Sequence, residues 1–346
     1  MSAAPSKKPS RSSKKPAASA KKPASSSKKP AASAKKPAAR APRTPTTKFG
    51  IVAIVGRPNA GKSTLLNRIL GQKVSIVSDK PQTTRNRIVG ILSEPRGQVV
   101  FLDTPGIHKP LHKLNARMMS HVNSSFHEAD VIVTMVDASQ SFGHGDEFVL
   151  KMIAATKGTK ARRVAVLNKI DLLKKNTLLP LMAKYAEGDI FDEIVPISAS
   201  TGEGLDDLLG VLFSALPAGE PLYSKDDYTT QPERFLAAEI VREKLLARTR
   251  DELPYTTAVG IDRWDEDEET GLLRIYASIY VERDSQKKLV IGLRGEGIKA
   301  IGTEARIELE AILGTRIFLQ TYVKVHEHWR EDERFLGELD WPFGGE

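Results

Sequence analysis

The sequence contains no cysteine among its 346 residues. Disulfide bonds, thiolate metal sites and cysteine nucleophiles are therefore excluded, and the composition is typical of a reducing compartment. Long hydrophobic runs are also missing: no stretch of about 18 consecutive apolar residues occurs, so no membrane-spanning helix is expected. The N-terminus is basic and has no apolar segment of the kind found in secretory signals. These absences together argue against a secreted protein and against one that spans a membrane.

Acidic residues are absent from the first 50 positions, which hold 11 lysines and 3 arginines. This segment carries a charge of +14, and because the whole chain carries +9, the other residues sum to −5. The triplet Lys-Lys-Pro recurs with a period of seven residues between Lys7 and Pro37. A proline in each heptad and the lack of large apolar residues argue against a coiled coil. We expect residues 1–46 to form a disordered tail, either an arm for nucleic acid or anionic surfaces or a solubilising extension without a dedicated partner.

A phosphate-binding loop is indicated near residue 56. The β-branched apolar run 49–55 is typical of a buried parallel strand, and a helix pattern begins at Thr64. Between them lies a GxxxxGK[ST] motif formed by Gly56, Arg57, Pro58, Asn59, Ala60, Gly61, Lys62 and Ser63. Thr64, directly after the motif, is also a candidate nucleotide-binding residue. Glycines let backbone N–H groups curl around phosphate oxygens; the lysine adds charge at the β- and γ-phosphates, and the serine offers a hydroxyl to Mg²⁺. The motif predicts a nucleoside triphosphate site with Mg²⁺.

A second loop follows the apolar run 99–102 and reads Asp103, Thr104, Pro105 and Gly106. A carboxylate at the end of such a strand can hold Mg²⁺ through water, and the Gly106 N–H can donate to a γ-phosphate. The candidate metal ligands in these two loops are therefore Ser63 and Asp103.

Two further loops predict that the base is guanine. The run 164–167 leads into Asn168, Lys169, Ile170 and Asp171. The Asp171 carboxylate can accept hydrogen bonds from guanine N1–H and the exocyclic amino group, a pair that adenine does not offer. Asn168 is expected to tie the loops together, and the stem of Lys169 to cover the base. Backbone N–H groups of the last loop can reach guanine O6; it consists of Ser198, Ala199 and Ser200.

Four motifs in this order, each after an apolar run, resemble the translation-factor-like GTPases. The resemblance implies a doubly wound α/β domain that binds GTP and GDP at the carboxyl ends of its strands. Ras-type members place a glutamine directly after the second loop to orient the attacking water. Ile107 stands there instead, so either another group positions the water or hydrolysis is slow without a partner. Related GTPases with an asparagine at the position of Asn59 use it to bind K⁺; the alternative is that Asn59 only tolerates a turn.

The first switch segment is predicted at 75–87, where Thr83 or Thr84 can supply a hydroxyl to Mg²⁺. The related sequence pattern favours Thr84. Arg85 and Arg87 are candidates for phosphate contacts, although solvation at the surface is the commoner fate of such arginines. The candidate catalytic residues are Asn59, Lys62, Thr84 and Gly106.

The C-terminal third shows the pattern of a second domain after the polar stretch 217–231, which we interpret as a linker. Helix and strand patterns follow in the order α-β-β-α-α-β, with a GxxG loop between the last two helices. This arrangement resembles a bacterial-type (type II) KH domain, an α+β fold whose GxxG backbone clamps single-stranded nucleic acid. The candidate RNA-binding residues are Lys287, Lys288, Gly292, Leu293, Arg294, Gly295 and Lys299.

The charge of this second domain is mixed. Residues 225–346 hold 18 basic and 26 acidic side chains, a net charge of −8. Residues 285–307 nevertheless hold 5 basic side chains against 2 acidic ones, a net charge of +3. RNA binding would therefore rest on a small basic patch, with a modest electrostatic contribution to affinity.

The combination resembles the Era-type family of bacterial GTPases over about residues 47–337. The resemblance rests on PQTTRNRIVGI (81–91), DTPGIHKP (103–110), VERDSQKKLVIG (281–292), IKAIGTEAR (298–306) and VKVHEHWREDERFL (323–336). It implies a monomeric GTPase that binds single-stranded RNA near the 3′ end of small-subunit ribosomal RNA and assists assembly of the small (30S) subunit. It also implies a cytoplasmic location with some peripheral membrane association.

The predicted organisation has five parts: a tail at 1–46, a GTPase domain at 47–216, a linker at 217–231, a KH domain at 232–337 and a C-terminal tail at 338–346. Two other functions stay open at this point. One is an RNA-modification or other assembly GTPase that uses the same loops. The other is an RNA-binding KH protein in which GTP is only a weak regulator.

Deletion of residues 1–45 tests the role of the basic tail. If the tail is a nucleic-acid arm, deletion lowers nonspecific RNA affinity and flattens the dependence of log K on log salt, because each lost phosphate contact on a single strand removes about 0.7 from the slope. Binding titrations across a salt series measure this slope. An unchanged slope would leave the tail as a solubilising extension.

Overall fold

The computed structural model describes residues 47–339. The predicted N-terminal tail, Trp341 and most of the predicted C-terminal tail lie outside this range. The described residues belong to one compact unit. It contains two β-sheets, each with its own helices.

The first sheet has six strands in the order β2-β3-β1-β4-β5-β6. All neighbouring strands are parallel except β2 and β3, which are antiparallel. The strands are β1 (Lys48–Gly56), β2 (Ile88–Glu94), β3 (Gly97–Asp103), β4 (Val131–Asp137), β5 (Arg162–Asn168) and β6 (Glu193–Pro196). The helices are α1 (Lys62–Leu70), α2 (Lys113–Glu128), α3 (His144–Ala155), α4 (Leu178–Ala186) and α5 (Leu205–Ala215).

The carboxyl ends of the parallel strands position the nucleotide loops. β1, β3 and β5 end at Gly56, Asp103 and Asn168, the first residues of three of the predicted loops. These strands are almost fully buried, as apolar runs without alternation predict for a parallel sheet covered on both faces. A doubly wound sheet brings such strand ends to one edge, where ligands bind. The predicted α/β fold class is confirmed for this half.

Strand β2 is not indicated by the sequence pattern, because its apolar residues continue directly from the switch segment without a turn signal. It pairs with β3 in a register that sets Ile88 opposite Asp103. The switch segment therefore ends where a buried edge strand begins, beside Asp103.

The segment 217–231, predicted as a linker, runs along the first half. The Gly219 N–H donates to the Thr47 carbonyl at 3.0 Å, and the buried Gln98 side chain accepts from the N–H groups of Leu222 and Tyr223 at 2.9 Å each. Further along, the Ile91 N–H donates to the Tyr228 carbonyl at 2.9 Å. These hydrogen bonds fix the segment along the β1, β2 and β3 side of the sheet.

The second sheet has the order β7-β8-β9, with β7 antiparallel and β9 parallel to β8. Its elements are α6 (Glu233–Arg248), α7 (Leu253–Thr256), β7 (Ala258–Asp267), β8 (Leu272–Val281), α8 (Asp284–Ile291), α9 (Glu296–Leu313), β9 (Ile317–Val325) and α10 (Glu333–Leu339). Apolar side chains of α6, α8 and α9 pack on one face of the sheet. The predicted order α-β-β-α-α-β is present, with the short helices α7 and α10 added.

The two halves share buried contacts. Phe235 of α6 packs into the core of the first half. Trp329 is fully buried and lies in one cluster with Leu114 and Met118 of α2. Its indole N–H donates to the Thr256 carbonyl at 3.0 Å, so the ring is buried and its one polar atom is hydrogen-bonded.

Candidate nucleotide and RNA-binding sites

A cleft of about 380 Å³ opens at the carboxyl edge of the first sheet. It is bounded by the loop between β1 and α1, by the switch segment and by Gly106 and Lys169. Gly61 forms the N-cap of α1, so the free N–H groups of this helix face the loop. A helix N-terminus with a glycine-rich loop is a ready-made site for phosphate. Of the predicted residues, Pro58, Asn59, Gly61, Lys62, Ser63, Thr64 and Thr84 also line the cleft.

Three side chains that carry oxygen atoms, those of Ser63, Thr84 and Asp103, converge at one end of the cleft. The Ser63 hydroxyl donates to Asp103 Oδ2 at 2.6 Å, and the hydroxyls of Ser63 and Thr84 lie 2.9 Å apart. Asp103 Oδ1 is buried, and no group within residues 47–339 hydrogen-bonds it. Hydroxyl and carboxylate oxygens suit Mg²⁺, which keeps several waters when protein groups bind it. The unsatisfied Oδ1 and the paired hydroxyls therefore fit a hydrated Mg²⁺ ion.

Two buried charges of opposite sign surround this end. Burial raises the pKa of Asp103, against the opposing effects of Lys62 and the hydroxyls of Ser63 and Ser75. Burial likewise lowers the pKa of Lys62, whose Nζ donates to the Arg57 carbonyl at 3.1 Å. Both shifts have the same cause, because taking a charged group out of water disfavours its charged form. Phosphates beside Lys62 and a divalent cation beside Asp103 would favour the charged form of each group.

The structure distinguishes between the two switch threonines. Thr84 Oγ1 reaches Ser63, whereas Thr83 Oγ1 turns away and donates to the Lys80 carbonyl at 2.6 Å. The Thr84 side chain is therefore the one directed to the metal end of the cleft.

Gly106 approaches the phosphate-binding loop so closely that no side chain fits. A Cβ at this position would lie 2.7 Å from the backbone nitrogen of Pro58. Thr104 is fully buried, and its hydroxyl donates to the Ile54 carbonyl at 2.8 Å, which anchors the turn to β1. Ile107 packs into the core beside α2. It does not face the cleft, so it takes no part in positioning water.

Asn168 connects two loops at the other end of the cleft. Its amide nitrogen donates to the Ala60 carbonyl at 2.8 Å, and its amide oxygen accepts from the Ala199 N–H at 2.9 Å. The side chain is almost completely buried. The hydroxyls of Ser198 and Ser200 lie 3.0 Å apart in the same loop. Asn168 thus holds the phosphate loop and the last loop at a fixed separation.

Lys169 and Asp171 flank the expected position of the base. Lys169 has a left-handed backbone with φ of 68°, and its Nζ lies 2.5 Å from Asp137 Oδ2. This ion pair orients the lysine stem along the cleft. Asp171 is exposed in the short turn 170–172, where its carboxylate is open to a ligand.

Two residues of the phosphate-binding loop make contacts that the motif does not predict. The Arg57 side chain points away from the cleft and forms an ion pair of 2.8 Å with Asp146 of α3. Asn59 has φ of 61°, and its amide nitrogen donates to the Asp79 carbonyl at 2.7 Å. Asn59 therefore connects this loop to the switch segment.

The GxxG loop forms a tight exposed turn between α8 and α9. Gly292 has φ of 74°, and a Cβ there would lie 2.9 Å from the Gly297 nitrogen. Arg294 is left-handed with φ of 51°, and Leu293 is 79% exposed. The backbone of this turn is therefore open to a ligand, as a clamp for a nucleic-acid backbone requires.

Exposed cations surround the turn. Lys288, Arg294 and Lys299 are exposed, and Lys287 is half-buried. Within residues 47–339 none of these four side chains takes part in an ion pair with a carboxylate. Glu296, also exposed, stands at the start of α9 and weakens the patch. The local positive charge is therefore available to phosphates, although it is small.

The prediction that Arg85 lies at the phosphates or in solvent is wrong. Arg85 is buried, and its guanidinium donates to the carbonyls of Thr257 and Pro254 at 2.6 and 2.9 Å. The sequence also gives no indication of Ser75, whose hydroxyl donates to Asp103 Oδ2 at 3.0 Å. A contact made through the fold between distant residues leaves no local pattern that could reveal it.

Family comparisons agree with this geometry. The model of the 50S ribosome-binding GTPase family matches residues 51–169, and the model of the KH domain matches residues 252–330. The fold and the site thus define a P-loop GTPase joined to a KH domain.

GTPase Era of Geobacter metallireducens is 50% identical over 291 residues, which cover 84% of this chain and 96% of that protein. GTPase Era of Staphylococcus haemolyticus is 43% identical over 292 residues, 84% of this chain and 96% of that protein. The chain therefore belongs to the Era family of GTPases. Family membership confirms the predicted resemblance and the predicted activity, hydrolysis of GTP.

Two solved structures are similar, each with a TM-score of 0.81 and 41% identity over 85% of this chain. One is a tyrosine-to-alanine variant of Aquifex aeolicus Era bound to GDP·AlF4⁻, of which 99% is covered. The other, of which 98% is covered, is Era in complex with MgGDPNP and nucleotides 1506–1542 of 16S ribosomal RNA. Within residues 47–339, no helix is both long and apolar enough to cross a bilayer.

The raised pKa of Asp103 predicts pH-dependent Mg²⁺ binding. A proton on this carboxylate competes with the metal ion, so the Mg²⁺ concentration needed for half-maximal binding of a GTP analogue rises as pH falls through the pKa of Asp103. Because burial raises that pKa, the rise begins at a higher pH than for an ordinary aspartate, and fluorescent nucleotide titrations across a descending pH series measure it. Asp103→Asn is the control, because it removes the protein's titrating group and leaves only protonation of the nucleotide. Equal pH dependence in both proteins would contradict the prediction.

Proposed function

We propose that the protein is a GTP-dependent switch that binds single-stranded RNA near the 3′ end of small-subunit ribosomal RNA and assists assembly of the 30S subunit. The proposal rests on one observation: the same chain has a cleft lined by the guanine-nucleotide loops and an exposed GxxG turn flanked by lysine and arginine side chains. The similar Era structure that contains MgGDPNP and 16S ribosomal RNA supports it. The proposal places the protein in the cytoplasm as a monomer, with peripheral contact at the cytoplasmic face of the membrane and the basic tail as a nucleic-acid contact.

In the proposed nucleotide complex, phosphates occupy the loop 56–63 and Lys62 neutralises their charge. The hydroxyls of Ser63 and Thr84 would hold Mg²⁺ directly, and Asp103 would hold it through water. When bound, Mg²⁺ would supply positive charge that offsets the charge developing on the phosphates during transfer. The Gly106 N–H donates to the γ-phosphate, while Asp171 and the loop 198–200 recognise guanine. Because Ile107 is buried and apolar, hydrolysis is slow until a partner contributes.

The two alternative functions lack comparable support. A GTPase that serves only RNA modification would not need the GxxG turn, which is open and flanked by exposed lysine and arginine side chains. A KH protein in which GTP is only a weak regulator would not need the buried Lys62 and Asp103, because burying two charged groups costs stability unless they bind a ligand.

Crosslinking the protein to cellular RNA and sequencing the bound fragments tests the proposed target. We expect enrichment at the 3′ end of small-subunit ribosomal RNA, and Arg294→Ala should lower affinity for that RNA and reduce the salt slope by about 1. Arg334→Ala removes another exposed arginine, in α10, and serves as the matched control. Scattered crosslinks, or equal effects of the two substitutions, would contradict the proposal.

We also propose that Asn59 binds K⁺. The Asp79 carbonyl accepts from the amide nitrogen of Asn59, so the amide oxygen is directed elsewhere and is available to a cation in the cleft. A cation beside the phosphates would supply charge that an arginine supplies in other GTPases. We expect hydrolysis to be about 10-fold faster or more in K⁺ than in Na⁺, and Asn59→Ala to remove the difference. Equal rates in both salts would exclude this role, and Asn59 would then serve only the turn.

A further inference from the structure

The switch threonine lies between two residues that are anchored to the second half of the protein. The Thr83 carbonyl accepts a hydrogen bond from Arg242 Nη2 of α6. On the other side, the Arg85 guanidinium donates to the carbonyls of Thr257 and Pro254. Thr84 itself points the opposite way, to Ser63. Thr84 thus contacts the first half of the protein, while its two neighbours, Thr83 and Arg85, are hydrogen-bonded to the second half.

The contact of Arg242 acts on the peptide group that precedes Thr84. The Thr83 carbonyl and the Thr84 N–H belong to one planar unit, and in a trans peptide they point in opposite directions. Fixing the carbonyl towards α6 therefore directs the Thr84 N–H away from α6. It also sets the position of the Thr84 Cα, from which the hydroxyl reaches Ser63.

The next residue of α6 holds the beginning of the same segment. Glu243 Oε1 accepts from the Val77 N–H at 3.0 Å, and Glu243 Oε2 lies 2.6 Å from Lys73 Nζ. Val77 lines the nucleotide cleft. Two consecutive residues of one helix, Arg242 and Glu243, therefore fix the segment at Thr83 and at Val77.

The guanidinium groups in this contact are buried and charged. Arg242 is 2% exposed and is held by Glu239 at 2.6 and 2.7 Å. Burial is the main cause that lowers the pKa of Arg85 to about 9, and the positive charge of the neighbouring Arg242 is the second. Arg85 is therefore still protonated at neutral pH. Arg85 Nε and Arg242 Nη1 have no hydrogen-bond partner within residues 47–339. Two buried cations with unsatisfied donors are costly to keep for packing alone, which favours a functional reason for them.

We propose that Arg242 is a positioning residue for GTP hydrolysis: by fixing the Thr83–Thr84 peptide, it holds the Thr84 hydroxyl at the Mg²⁺ end of the cleft. The inference rests on the proposed role of Thr84 as a metal ligand. In this proposal, Arg242 belongs to the second half of the protein and acts on the nucleotide site only through Thr84, without contacting nucleotide or metal itself.

The test is single-turnover GTP hydrolysis measured across a Mg²⁺ series with the full-length protein. Arg242→Lys keeps the charge and loses the planar fork that reaches both Glu239 and the Thr83 carbonyl. We expect the Mg²⁺ concentration for half-maximal rate to rise about 10-fold, because residues that orient metal ligands typically contribute 10- to 100-fold. GDP affinity at saturating Mg²⁺ should stay unchanged, which a general loss of structure would not allow.

Arg248→Lys is the matched control, since Arg248 lies on the same helix and pairs with Glu304 at the surface, away from the switch segment. It should behave as the unmodified protein. If Arg242→Lys does not fold, the double variant Glu239→Gln/Arg242→Met replaces the buried ion pair with groups of similar volume and carries the same expectation. A Mg²⁺ dependence unchanged from that of the unmodified protein, in either folded variant, overturns the inference.

Thr84→Ala separates this inference from the proposed site on which it rests. If Arg242 acts through Thr84, the double variant Thr84→Ala/Arg242→Lys should be no worse than Thr84→Ala alone. A shift with Thr84→Ala and none with Arg242→Lys would overturn the inference and leave the metal site in place. No shift with Thr84→Ala would instead overturn the proposed metal ligand, and additive effects would mean that Arg242 acts by another route.

Discussion

The buried carboxylate of Asp103 is the constraint on which the rest of the structure depends. It is fully removed from solvent, and one of its oxygens has no hydrogen-bond partner within residues 47–339. A charge in that position is tolerated only if other groups compensate it. Lys62 and the hydroxyls of Ser63 and Ser75 supply part of that compensation, and the proposed Mg²⁺ ion would supply the rest. The phosphate loop, the switch segment and strand β3 must therefore meet at this point, and the packing of the second half against the switch segment helps to bring them there.

The second half contributes to two different surfaces. On one side, α6 contacts the switch segment through buried, charged residues. On the other, the turn between α8 and α9 exposes its backbone and several lysine and arginine side chains that have no carboxylate partner within residues 47–339. The excess of acid in this half is placed elsewhere: Glu243 and Glu308, for example, form a network of ion pairs with Lys73 and Lys244. The acidic net charge therefore coexists with a local basic patch, because acidic side chains such as these pair with lysines outside the patch.

Much of the fold and of the nucleotide cleft could be predicted from sequence, because these features depend on local spacing. A phosphate loop needs its glycines, lysine and serine within eight residues, and each parallel strand shows as an apolar run before its loop. The contacts of Ser75, Arg85 and Arg242 could not be predicted in this way. Arg242 meets the carbonyl of a residue 159 positions away, and only the folded chain brings them together. Strand β2 could not be predicted either, because it continues from the switch segment without a turn residue that would mark its start.

A crystal structure of the full-length protein with Mg²⁺ and a non-hydrolysable GTP analogue would show whether the second half holds a metal ligand in place. We expect that the hydroxyls of Ser63 and Thr84 both bind the metal ion, that Asp103 reaches it through water, and that Arg242 still contacts the Thr83 carbonyl. A structure in which Thr84 points away from the ion while Arg242 keeps its contact with Thr83 would contradict this expectation.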